Sequence, residues 1–111
     1  MQEAKVYRNS QFIGRLQKND NGIYTFIYDK VYLLNSEALS ISVHFPLQKE
    51  AFTSSILFAF FFNLLAEGVV KKMQCKAFKL DENDHFSRLI KTTQTNTIGS
   101  ITLEETVDEM L

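Results

Sequence analysis

The stretch Ser54-Ser55-Ile56-Leu57-Phe58-Ala59-Phe60-Phe61-Phe62-Asn63-Leu64-Leu65-Ala66-Glu67-Gly68, followed at once by Val69-Val70-Lys71-Lys72, is the most apolar part of the chain. A solvated helix needs a polar stripe, and this run offers only Asn63 and the flanking serines, so it reads as a buried helix over residues 54–65. Its apolar part is about half the ~20 residues needed to cross a bilayer, which favours a core helix over a membrane span. Ser54 or Ser55 can cap its start, and Gly68 can take the left-handed conformation that ends it.

Working outward, the residues before this run are β-patterned. The segments 4–8 and 11–18 flank the turn pair Asn9-Ser10, and Gly14 inside the second marks either a bulge or a close backbone approach. Asn19-Asp20-Asn21-Gly22 is a second turn, and Ile23-Tyr24-Thr25-Phe26-Ile27-Tyr28 after it is rich in β-branched and aromatic residues, giving a three-stranded meander. Residues 29–37 read as a helical turn or loop carrying Tyr32, Leu33 and Leu34. Leu39, Ile41, Val43 and Phe45 alternate with Ser40, Ser42 and His44, which predicts a further strand ending near Pro46.

After the apolar run, residues 69–78 predict a second helix, with Lys71, Lys72 and Lys76 outward and Met73 and Ala77 inward. A third short helix follows Asp81, with Asp84 in the capping-box position and Phe86, Leu89 and Ile90 on its apolar face. Residues 92–97 read as a threonine-rich loop, Ile98-Gly99-Ser100-Ile101-Thr102-Leu103 as a last strand, and 104–111 as a frayed helix or acidic tail. The expectation is one α+β domain over residues 1–111: a curved antiparallel sheet of about five strands packed on a buried helix and two short helices.

Composition narrows the function. Twelve Lys plus Arg against thirteen Asp plus Glu give a net charge of −1, no footprint for gripping a polyanion unaided. The start of the chain has no basic segment leading into an apolar run, and a single cysteine allows no internal disulfide; the expected compartment is the cytoplasm. His44 and His85 have no partner at zinc-ligand spacing, and the four glycines are scattered, so neither a metal nor a nucleotide cofactor is expected. Cys75 with His85 lacks an orienting third group, and Asp81, Glu82 and Asp84 are explained by dipole compensation at a helix start. No catalytic residue is nominated.

The order of features Val6-Tyr7, Ile13-Gly14-Arg15-Leu16, Phe26-Ile27-Tyr28-Asp29, Leu39-Ser40-Ile41-Ser42, Phe61-Phe62-Asn63-Leu64-Leu65-Ala66-Glu67-Gly68, Phe86-Ser87-Arg88-Leu89-Ile90 and Ile98-Gly99-Ser100-Ile101 resembles the N-terminal subdomain of HipA-type serine/threonine kinase toxins over nearly the whole chain. Where that family usually has proline this chain has Ala66, and its glycine-alanine pair is Gly99-Ser100 here. The kinase's phosphate loop, catalytic aspartate and magnesium ligands have no counterpart in the sequence. The resemblance therefore extends to the HipS-type small proteins of three-gene HipBST toxin–antitoxin systems. It implies a non-catalytic partner of a HipT-like kinase, acting as its antitoxin; the alternative is a scaffold that completes the complex with a HipB-like helix-turn-helix protein without silencing the kinase. DNA would be met only through that complex, and no membrane is implied.

A domain without a catalytic set acts through its surface, and the turn Ala66, Glu67, Gly68, Val69 and Val70 is the expected partner-binding platform. The competing reading is that Val69 and Val70 begin the next helix and pack inward. With no tryptophan in the chain, an aromatic plug into a partner has to be Phe or Tyr.

Overall fold

The computed structural model describes residues 1–93 and 101–106. Strands β1 (Gln2–Arg8) and β2 (Gln11–Lys18) form a hairpin whose two turn residues, Asn9 and Ser10, both have positive φ (49° and 69°). That backbone matches the twist of the flanking strands, and asparagine accepts it at low cost. Strand β3 (Tyr24–Tyr28) returns along β2 after a turn in which the Asn19 side-chain oxygen accepts the N–H groups of Asn21 and Ile23, both at 2.9 Å. Both alternatives for Gly14 hold. Val6 faces Gly14 and Tyr7 faces Phe12, so Ile13 is the extra residue of a bulge. A Cβ on Gly14 would also lie 2.5 Å from the Ile27 carbonyl oxygen.

Two edge strands complete the curved antiparallel sheet in the order β4-β3-β2-β1-β5, with β4 at Phe52–Ser54 and β5 at Ile101–Glu105. With four helices set against this sheet, the class is α+β as expected. The period-two pattern of β3 sends Tyr24, Phe26 and Tyr28 to the inner face beside Ala4, Val6, Leu16 and Leu103, all buried. Phe26 is the hub: its ring centroid lies 5.0 Å from those of Tyr28 and Phe45 and 5.6 Å from that of Phe61.

The long helix expected over 54–65 is not formed. Ser54 ends β4, paired with Tyr24, and helix α2 is a single turn, Ala59–Phe62. Phe58 stands at its N-cap with no side-chain hydrogen bond, and phenylalanines lose rotamer freedom in a helix, so neither capping nor propensity extends the turn. Tight turns carry the chain onward, with Leu64 N–H to Phe61 O at 3.1 Å and Leu65 N–H to Phe62 O at 3.0 Å. Nor is the run buried on every side: Leu57, Phe61 and Leu65 are inside, while Ile56 is 72% exposed and Phe62 38%.

The strand expected over 39–45 is also absent. Ile41 and Phe45 are buried, but Leu39 and Val43 are exposed, and the segment is irregular. Its backbone is satisfied by two tyrosine hydroxyls instead of a ladder. Tyr32, on helix α1 (Lys30–Leu34), donates to Leu39 O at 2.7 Å and accepts from Leu39 N–H at 3.1 Å. Tyr28 accepts from Ile41 N–H at 2.9 Å and donates to Phe45 O. The place beside β3 belongs to β4.

Helix α3 (Gly68–Phe78) forms where the second helix is expected, but its inner face differs: Cys75 is buried, whereas Met73 and Ala77 are exposed. Helix α4 (His85–Thr92) buries Phe86, Leu89 and Ile90 as expected. Asp84 is its N-cap itself, taking the Ser87 N–H at 3.1 Å and the Ser87 hydroxyl at 2.8 Å. The last strand starts at Ile101, and the rest of the expected loop and strand, residues 94–100, lies outside the described residues. Of the acidic end, Glu104 and Glu105 belong to β5, Thr106 N–H donates to Glu3 O, and 107–111 lie outside the description.

Candidate functional site

The turn that the sequence nominates joins α2 to α3 and stands in the open. Gly68 has φ +62°, a left-handed conformation that glycine adopts freely, and it starts α3 instead of ending a preceding helix. Val69 is 73% exposed and Val70 51%, so the two valines do not pack inward. Glu67, the N-cap residue, makes no side-chain cap, and the first turn of α3 carries no acidic residue. The turn thus presents two β-branched apolar side chains and unfilled backbone donors to solvent.

What holds it is Arg88, which is 2% exposed. Its Nη2 donates to the Ala66 carbonyl at 2.7 Å, and its Nη1 donates to the Glu82 carbonyl at 3.3 Å and lies 3.4 Å from His85 Nδ1. The guanidinium ties α4 to the turn residue before the cap. Among the described residues no carboxylate lies within ion-pair distance of it. A buried charge is tolerable only when its donors are satisfied, and Arg88 directs them to carbonyls whose position depends on the turn. A small cavity of about 130 Å3 lies beside it, lined by Phe62, Leu65, Glu67, Gly68 and Lys71 among others.

Sequence reasoning did not single out Arg88. The available signal was an arginine set among three buried apolar positions within one eight-residue helix, which places a cation against the core. His85, next to it, packs its ring edge-on to Phe62 with centroids 5.3 Å apart. Burial, then the charges of Arg88, Lys71 and Lys18, hold its pKa below the usual histidine value against an opposing pull from Asp84.

The remaining chemistry-bearing residues are dispersed. His44 is exposed, its N–H bonded to Ser42 Oγ, and Cys75 is buried in α3. Asp81 accepts the Asn83 N–H at 2.7 Å and Asp84 caps α4, so these two carboxylates are occupied with local backbone. Among the described residues no group of three or more His, Cys, Asp or Glu could hold a metal ion. None of the described helices is long and apolar enough to cross a membrane.

Known proteins share this fold. Residues 4–104 match the family model described as the HipA N-terminal domain. An uncharacterised protein of Haemophilus influenzae is 29% identical over 105 residues, covering 95% of this chain and 93% of that protein. Among solved structures, the N-terminal domain of HipA toxin superposes with a TM-score of 0.72 at 26% identity, covering 98% of this chain and 96% of the other. These matches support a HipS-like small protein, and the chain belongs to the HipA N-terminal domain family.

Proposed function

We propose that this protein is a non-catalytic, antitoxin-like subunit of a tripartite HipBST-type toxin–antitoxin system, which binds a HipT-like serine/threonine kinase and holds it inactive. The observation that carries the reading is the turn at residues 66–70: apolar Val69 and Val70 stand exposed on a backbone fixed by a buried arginine. Side chains pre-positioned in this way lose little entropy on binding, which is what a docking surface requires. In this reading the protein works in the cytoplasm without a cofactor, and reaches DNA only through a HipB-like partner. Membership of the HipA N-terminal domain family supports the choice of a HipA-type kinase as partner.

Co-expression with the kinase tests the role. Relief of growth arrest and loss of kinase autophosphorylation are expected; binding with undiminished kinase activity would make the protein a scaffold instead. Val69→Glu tests the surface. Because Val69 is already 73% exposed, the variant should melt like wild type. Its affinity for the kinase should fall at least about tenfold, as a charge placed centrally in an interface costs about 2 kcal/mol or more. Undiminished binding by Val69→Glu would remove the turn from the interface.

A further inference from the structure

On another side of α2, the chain leaves a groove of about 620 Å3 between the end of the β2–β3 hairpin and residues 55–63. Tyr24, Ile56, Leu57, Ala59 and Phe62 make up its apolar lining. Ile56 is 72% exposed, so two large apolar side chains share one open concavity and are not merely scattered over the surface. Phe62 also borders the small cavity beside Arg88, so the groove and the turn at 66–70 flank the same ring.

Among the described residues that line this groove, one carries a permanent charge, and it is positive. Lys18 lines it, with its ammonium 5.6 Å from the centre of the Tyr24 ring. His85 also lines the groove, with Arg88, Lys71 and Lys18 acting on it as cations and Asp84 as an anion. The Asp84 carboxylate is bonded through both oxygens to Ser87. Among the described residues that line the groove none is acidic. An apolar lining with one lysine in it fits an apolar side chain with a carboxylate beside it. The exposure of Ile56 argues against a free small molecule, whose pockets enclose most of the ligand surface. A single lining lysine is too little for a nucleic-acid backbone.

We infer that this groove receives a peptide segment of a partner protein, presenting one apolar side chain with an aspartate or glutamate one or two residues away. The contact is separate from the turn at 66–70 and does not require the partner to be a kinase.

The test is an amide NMR titration of the full chain with two capped tetrapeptides, Ac-ELFE-NH2 and Ac-KLFK-NH2. The acidic peptide should shift Tyr24, Ile56, Leu57 and His85 and leave the β1–β5 side unchanged. It should bind at least about fivefold more tightly than the lysine peptide, and Lys18→Glu should reverse that order. Ile56→Asp, at a site already exposed, should weaken both. Equal binding of the two peptides, shifts centred elsewhere, or no shift at the solubility limit would each overturn the proposal. If Lys18→Glu fails to fold, the peptide pair on the wild-type protein decides alone.

Discussion

Replacing Arg88 by methionine separates the strength of the domain from the order of its turn. Two effects oppose each other in the folded state. The Ala66 carbonyl loses a charge-assisted hydrogen bond of 2.7 Å, worth about 1.5–3 kcal/mol. Against this, a guanidinium that is 2% exposed no longer has to be desolvated, and a methionine of similar reach fills the space. The 3.3 Å bond to Glu82 adds little, because Glu82 is exposed and water can replace the donor. The net loss should stay within about 2 kcal/mol, well inside the 5–15 kcal/mol of a typical domain. The turn loses its only tie to α4 among the side-chain bonds of residues 66–70, so amide exchange at residues 67–71 should speed while the core strands stay protected. Arg88→Lys should loosen the turn in the same way, since a single ammonium does not span the Ala66 and Glu82 carbonyls together, but it should cost more stability than methionine because it keeps a buried charge. Denaturant midpoints and site-resolved hydrogen exchange measure the two quantities. Unchanged exchange at 67–71 in Arg88→Met would refute the idea that this residue positions the turn.

Phe61→Asp puts an unpaired carboxylate at a site with no exposure and should prevent folding; a soluble protein with a cooperative melt would contradict it. Tyr28→Phe strips the Ile41 N–H and the Phe45 carbonyl of their shared hydroxyl, and urea midpoints should report a loss of about 2–4 kcal/mol. Burial keeps that hydroxyl proton in place, raising the Tyr28 pKa, so the phenolate signal should appear at higher pH than for an exposed tyrosine. For His85 the folded-state pKa lies below the unfolded value of about 6.5, so the unfolded chain binds more protons. The contribution of His85 is complete above that value and is lost as pH falls through the folded pKa. Between about pH 7.5 and about pH 5.5 wild type should therefore lose more stability than His85→Gln, and equal losses would rule the histidine out.

The meander was legible because its signals are local: turn residues in sequence, period-two alternation and a glycine that the neighbouring strand forces. The α4 face was legible for the same reason, with Asp84 close to Phe86, Leu89 and Ile90. The run at 54–65 misled because hydrophobicity reports burial but not backbone, and here one serine belongs to a strand while the phenylalanines reach the core from a single turn and its flanks. The alternation at 39–45 misled because the partner of the Ile41 and Phe45 backbone is the Tyr28 hydroxyl, 13 and 17 residues away, which no period in the segment itself reveals. At the candidate site the exposed valines were named from sequence, but Arg88 was not, since its partners are carbonyls and leave no complementary charge to find.

The sheet order has a consequence for synthesis on the ribosome. Strand β1 emerges early and pairs with β2 almost at once, yet its other neighbour, β5, is joined to it only across about a hundred residues of chain, with Ala4 opposite Glu105. Closing a loop of that length costs on the order of 4 kcal/mol in chain entropy. Until β5 leaves the exit tunnel, the outer edge of β1 is an unpaired row of amides and carbonyls with Val6 and Ala4 beside it, open to pairing with another chain. The nascent protein is thus most exposed to misassembly in the interval between completing the meander and releasing β5, and a chaperone holding that edge would act during this interval.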